Sequence, residues 1–215
     1  MVLLDGRKVA GEILTELREE YAARKRRLTL AAVVVGDDPV IAKFVAQKKK
    51  IAGDLGVDFR EYRYGATIST NELRKRIATI VHDADPDGII IQLPLPGHIN
   101  AQYMLDAVPP EKDVDALSAR AVGYFAVGKA KVLPPVVAAV KILLERYTIP
   151  YRDRHWVVVG AGKLVGKPIA MWLAGEKISF SVVDEQTPDI SALTRQADVI
   201  ITGVGKPGLI RGDMV

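Results

Sequence analysis

Three polar residues in the N-terminal part of this sequence stand where their types could do chemistry: Lys48, Gln92 and Asp115. Lys48 shares a helical stripe with Phe44 and Ile51, at i, i+4 and i+7, so one face would carry an aromatic ring, an amine and an aliphatic chain. Partial burial there would favour a neutral amine suited to proton transfer. The ordinary alternative is a lysine whose stem covers apolar surface while its ammonium stays in water. Gln92 opens the loop Gln92-Leu93-Pro94-Leu95-Pro96, where prolines end an apolar run. Its amide either orients a substrate heteroatom or satisfies backbone groups of the loop. Asp115 closes Lys112-Asp113-Val114-Asp115, a polar stretch in which carboxylates either bind amino groups of a ligand or serve as turn and cap acids.

The second half carries a different chemistry, built on backbone. From Trp156 a β-branched run leads into Gly160-Ala161-Gly162-Lys163-Leu164-Val165-Gly166-Lys167-Pro168 and then into an apolar helical pattern, the order of a dinucleotide-binding βα unit. Such glycines let backbone approach a pyrophosphate, whose charge is favoured by the N–H groups and dipole of the next helix. The spacing G-x-G-x-x-x-G is one residue longer than the dinucleotide fingerprint, so a plain strand-to-helix turn is the competing reading. A later β-branched run ends in Asp184-Glu185, near where an acid would accept hydrogen bonds from a ribose 2′-hydroxyl.

These groups need elements to place them, and the pattern supplies strands and helices in alternation. Asp5 predicts a capped helix over 6–26, with the basic run Arg24–Arg27 as its solvated end. A strand at 28–36 follows, then a helix started by Asp38-Pro39 that carries Lys48. A strand at 58–64, a helix from Ser69-Thr70 to about His82, a buried-type strand at 88–92 and a helix at 100–108 complete the first part. Residues 111–132 read as an irregular connection, and the apolar helix from Pro135 to about Tyr147 is expected to bridge two domains. Strands at 156–160, 179–184 and 199–204 alternate with helices at 164–174 and 189–196. The expected fold is α/β with two domains: an N-terminal α/β substrate domain over 1–118 and a Rossmann-like nucleotide-binding domain over 119–215.

Composition fits a globular protein with room for a sizeable core: 215 residues, 49% hydrophobic, with a mild net charge of +4. Basic residues do not gather with aromatics, so nucleic acid is not an expected partner. The absence of cysteine excludes disulfides, thiolate metal ligands and a cysteine nucleophile. The opening Met1-Val-Leu-Leu-Asp5 turns polar at once, which leads us to expect no signal peptide, no membrane partner and a cytoplasmic location.

Six segments in register give a resemblance through almost the whole chain: Gly36-Asp-Asp-Pro39, Phe44-x-x-x-Lys48, Gln92-Leu-Pro-Leu-Pro96, Lys112-Asp-Val-Asp115, Val165-Gly-Lys-Pro168 and Val204-Gly205-Lys-Pro207. Together they resemble the bifunctional methylenetetrahydrofolate dehydrogenase/methenyltetrahydrofolate cyclohydrolase family. The resemblance implies a homodimeric enzyme acting on tetrahydrofolate derivatives with NAD or NADP, the folate lying between two domains. It implies that Lys48 is the central acid–base group, that Gln92 supports it, and that Asp115 holds the pterin amino groups. Phe44 would pack on the folate rings, next to Pro94, Leu95 and Pro96. The nucleotide would lie against Gly160, Ala161, Gly162, Lys163, Val165, Gly166, Lys167, Pro168, Asp184, Glu185, Val204 and Gly205.

Departures from the family pattern carry information too. Phe44 stands where the family usually has Tyr, so stacking should survive while a hydroxyl is lost. Ala116 replaces a usual Gly, Ala121 a usual Asn, and Val132-Leu-Pro-Pro135 a common Pro-Cys-Thr-Pro. Ala161-Gly162 replaces a usual Arg-Ser, and Asp184-Glu185 a usual His-Ser; a carboxylate there would repel a 2′-phosphate and favour NAD. Family members continue beyond the Gly212–Val215 pattern through a further strand, loop and helix, which leads us to expect an incomplete C-terminal segment. Two rival readings are a shikimate-type two-domain dehydrogenase and a non-catalytic folate- or nucleotide-binding scaffold.

Overall fold

In the computed structural model, residues 2–215 are described, and they divide into two compact units. The first comprises Leu3–Gly123 with Ala130–Val132, and the second comprises Tyr124–Lys129 with Leu133–Val215.

The first unit is built around β1 (Thr29–Val35), flanked in parallel by β2 (Asp58–Tyr64) and β3 (Gly88–Ile91) in the order β2-β1-β3. Ala31–Val35 and all of β3 are buried, as their unbroken apolar runs require of parallel strands covered on both faces. The edge strand β2 instead carries Arg60, Glu61 and Arg63, charges that blunt an exposed edge. Between β1 and β2 runs α2 (Pro39–Asp54), opened by Pro39 and by Asp38, whose carboxylate accepts from the N–H groups of Val40 and Ile41. Ile41 and Val45 pack on Val34 of β1, which fixes the rotation of α2 and leaves Phe44 and Lys48 off the core face.

Helix α1 (Gly6–Ala22) begins as expected at Asp5, which caps Arg7 and Lys8, but it ends before the basic run. The arginines there have structural partners: Arg26 pairs with Asp87, and Arg27 Nε donates to the Gly56 carbonyl at 2.7 Å. Helix α3 (Thr70–Thr79), capped by Ser69, passes into a π-helical turn at Ile80–Ala84 and stops at Asp85 with φ of 40°. Leu73 and Ile77 of α3 and Met104 of α4 (Ala101–Leu105) complete the core over β1 and β3. Each such burial removes a side chain from water, worth about 2–3 kcal/mol. The expected connection at 111–132 contains a helix, α5 (Ala119–Ala126). Its short length and its interior Gly123 hid it from periodicity.

The second unit repeats the parallel plan with β4 (Trp156–Val159) in the centre, β5 (Phe180–Val183) on one side and β6 (Val199–Thr202) on the other. Helices α7 (Gly166–Gly175) and α8 (Ile190–Thr194) are the crossovers. The apolar helix expected from Pro135 is present as α6 (Pro135–Arg146). Val137 and Leu144 bury it in the second unit's own core beside Trp156, Ile169, Trp172 and Leu173. Trp156 and Trp172 meet edge to face at 5.7 Å, a favourable ring geometry.

Candidate active site

In the first unit, Lys48 and Gln92 reach one another from different elements. Lys48 lies in the third turn of α2, half-buried, and its Nζ donates to Gln92 Oε1 at 3.0 Å. Gln92 stands immediately beyond β3, with its backbone N–H still bonded to the Val33 carbonyl at 2.9 Å, so the strand ladder fixes where the side chain starts. Its Nε2 donates to the Leu93 carbonyl at 2.9 Å. Both ends of the amide are therefore engaged, and the orientation that presents oxygen to the lysine is the one the loop enforces. The Leu93–Pro94 bond is cis. Leu93 and Leu95 turn onto the hydrophobic core, whereas Pro94 is exposed and Pro96 half-buried. Phe44, one turn before Lys48, is 56% exposed, a large surface for an aromatic ring.

The stretch Lys112–Asp115 divides its charges between structure and site. Lys112 pairs with Asp85 and donates to the Pro86 carbonyl at 2.8 Å, fastening the turn before β3. Asp113 is 5% exposed and accepts from the N–H of Ser118 at 2.7 Å, so for this residue the turn-acid reading holds. Asp115 differs. Burial pushes its carboxyl above the usual carboxylate range, the Lys48 ammonium pulls it back down, and the neighbouring Asp113 raises it again. Lys48, Gln92 and Asp115 thus form one electrostatic group drawn from a helix, a strand end and a loop.

In the second unit the glycine-rich turn is fixed by contact between backbones. Gly160, directly after β4, has φ of 97°, a left-handed conformation, and a Cβ on Gly166 would overlap the Gly160 carbonyl. These two glycines let α7 start against the end of β4. A Cβ on Gly162 would meet nothing within 4 Å, so packing does not require that glycine. The helix begins at Gly166, two residues later than its apolar pattern suggested, with Val165 as N-cap and Lys167 in a first turn that has no acid. Buried Pro168 sits inside that turn, while Ala161 is half-buried and Lys163 exposed. Val204 lies beside Gly160, followed by Gly205 with φ of 62°. Beyond β5, the Asp184 carboxylate accepts from the Gln186 N–H at 2.9 Å, and Glu185 is exposed. Glycines in close backbone contact, a helix start free of acids and a carboxylate at the neighbouring strand's end fit a dinucleotide.

A parallel α/β unit that gathers a lysine, a glutamine and an aspartate, together with a Rossmann-like unit, fits the plan of a two-domain nucleotide-dependent enzyme. The comparisons sharpen this. Residues 4–115 match the description "Tetrahydrofolate dehydrogenase/cyclohydrolase, catalytic domain", and residues 134–215 match the NAD(P)-binding domain of the same family. The bifunctional protein FolD of Moorella thermoacetica is 38% identical over 99% of this chain and 77% of its own length. The crystal structure of FolD from Campylobacter jejuni, a methylenetetrahydrofolate dehydrogenase/cyclohydrolase, superposes with a TM-score of 0.95 at 36% identity, covering 100% of this chain and 78% of that one. The Trypanosoma brucei enzyme, solved with NADP and an inhibitor, gives 0.93 at 31% identity, covering 100% and 75%. The chain belongs to the tetrahydrofolate dehydrogenase/cyclohydrolase family. Among the described residues no helix is long and apolar enough to cross a membrane.

The sequence pattern singled out Lys48, Gln92 and Asp115, but it did not separate the roles of Asp113 and Asp115. Ser118, 1% exposed, was also missed. A serine directly before the helix start at Ala119, where its Oγ accepts from the Ala121 N–H at 3.3 Å, was the available signal.

Proposed function

We propose that this chain oxidises 5,10-methylenetetrahydrofolate to the 5,10-methenyl form by hydride transfer to NAD(P) and hydrolyses that product to 10-formyltetrahydrofolate. The observation that carries the reading is the Lys48–Gln92 hydrogen bond beside half-buried Asp115, within a stretch matched as the family's catalytic domain. NAD(P), when bound, supplies the hydride acceptor. Loss of hydride leaves a cationic methenyl carbon open to water. As the new C–O bond forms, Lys48 serves as the acid–base group that takes up one proton of the water; the hydroxyl on that carbon loses the second as its bond to N5 breaks and N5 takes up a proton, so one proton is released overall. The Gln92 oxygen holds the lysine nitrogen in place. Asp115 accepts hydrogen bonds from the pterin amino groups, a role its burial strengthens because water competes less. Phe44, with Pro94, Leu95 and Pro96, supplies surface for the folate rings.

For the cofactor we assign Gly160–Gly162, Lys163, Val165–Pro168, Val204 and Gly205 to the nucleotide backbone, and Asp184 with Glu185 to the ribose. A carboxylate at that point accepts from a free diol and repels a 2′-phosphate, so NAD is preferred. A homodimer, which rests on the family resemblance, and a cytoplasmic location complete the reading.

Methenyltetrahydrofolate absorbance followed with NAD and then with NADP tests it. Formation and decay of the signal are expected, with kcat/KM for NAD roughly tenfold higher, about 1.4 kcal/mol. Formation without decay would remove the hydrolase, and folate binding without any signal would leave a scaffold. A higher kcat/KM with NADP would overturn the cofactor assignment alone.

A further inference from the structure

We infer that Asp113 is a positioning residue for Asp115, closing the loop that presents the Asp115 carboxylate beside Lys48. The inference rests on the role proposed above for Asp115. Asp113 is tied at three points. Its N–H donates to the Pro109 carbonyl at 3.0 Å, its carbonyl accepts from Ala116 N–H at 3.2 Å, and its carboxylate accepts from Ser118 N–H at 2.7 Å. A parallel bridge to Ile89, with Ile89 N–H donating to the Lys112 carbonyl at 2.7 Å, registers the same residue on β3, the strand that leads into Gln92. The loop so closed is tight. Ala116 is buried in it with φ of 52°, a left-handed conformation that costs a residue with a Cβ about 1–2 kcal/mol. Asp115 lies between the two anchored ends, and its direction follows from theirs.

The capping bond alone does not call for a carboxylate. The amide oxygen of asparagine accepts from a backbone N–H equally well, and burying a charge is expensive. What asparagine lacks is the negative charge. The charged groups acting on Asp115 are Lys48 of α2, which favours its ionised form, and Asp113 of its own loop, which opposes it. Asp113 therefore does two separable things: its hydrogen bond places Asp115, and its charge holds the Asp115 proton more tightly.

Two variants separate them. Asp113→Ala loses both, and KM for methylenetetrahydrofolate is expected to rise about tenfold or more while kcat falls less. Asp113→Asn keeps the bond and should restore KM to within about twofold of the parent, with the acid limb of kcat/KM moved to lower pH. An NMR titration of the Asp115 carboxyl in the parent and in Asp113→Asn, recorded without substrate, should show the midpoint falling in the variant. Parental KM in Asp113→Ala, or an Asp113→Asn enzyme as impaired as Asp113→Ala, would overturn the positioning role. An unchanged Asp115 midpoint would overturn the charge effect, and it reads out even if Asp113→Ala fails to fold. A parent protein that neither binds folate nor forms methenyltetrahydrofolate would instead sink the proposed function, while the titration would still report on the Asp113–Asp115 coupling.

Discussion

The two units solve opposite problems with the same parallel α/β plan. In the first, the residues of interest are side chains held at a distance from their own backbones: Lys48 reaches Gln92 from a neighbouring helix, and Asp115 is carried on a loop fastened elsewhere. In the second, the important contacts are backbone on backbone, with Gly166 against the Gly160 carbonyl. A site made of side chains can lose its chemistry while its fold survives. A site made of backbone contact cannot be altered without moving the elements that form it.

The largest effect expected from this contrast is at Lys48. Lys48→Met keeps the apolar stem and removes the nitrogen, so turnover to 10-formyltetrahydrofolate should fall by roughly 10²–10⁴-fold, the usual worth of a positioned acid–base group. The melting temperature should change little, because Lys48 is half-buried at the edge of the core. A large loss of stability with activity retained would reverse the comparison.

Gly166→Ala should show the opposite signature. The new methyl group meets the backbone of Gly160 and Ala161, which cannot rotate away as a side chain could. A loss of about 2–3 kcal/mol is expected, or roughly 5–10 °C in thermal unfolding. Gly162→Ala is the matched control, since its added methyl meets nothing within 4 Å. If both substitutions melt alike, the idea that backbone contact fixes this turn is wrong.

The same contrast explains what could be read from sequence. Strands buried on both faces announce themselves as β-branched runs, and Asp58–Tyr64 and the helix start at Asp38-Pro39 lie where composition and capping put them. The parallel order also follows from alternation of strands and helices. Elements whose identity depends on tertiary partners were not legible. The basic run after α1 reads as a helix end until Asp87 and Gly56 are seen to hold Arg26 and Arg27. Helix α6 shows in the sequence only as an apolar run, and its partners, Trp156 and Trp172, come from elements that the run does not point to. Within the candidate site, Lys48 and Gln92 lie 44 positions apart in the chain, and no periodicity links them. The family resemblance put them together, and the hydrogen bond gives that pairing a physical basis. Asp113 and Asp115 illustrate the limit most clearly, because two identical side chains two residues apart differ only in what surrounds them.

The smallest expected effect concerns Phe44, which tests how finely the side-chain site is tuned. Its ring is exposed on α2 one turn before Lys48, so Phe44→Tyr adds a hydroxyl without crowding the core. The ring surface offered to folate is unchanged, and KM should stay within about twofold. The hydroxyl adds one hydrogen-bonding group near the acid–base cluster, worth about 1 kcal/mol, so the cyclohydrolase rate should rise roughly fivefold with the dehydrogenase rate less affected. Stopped-flow measurement of methenyltetrahydrofolate decay, apart from its formation, separates the two steps. An unchanged decay rate would mean that the aromatic ring serves binding alone, and that the acid–base work near Lys48 draws nothing from this position.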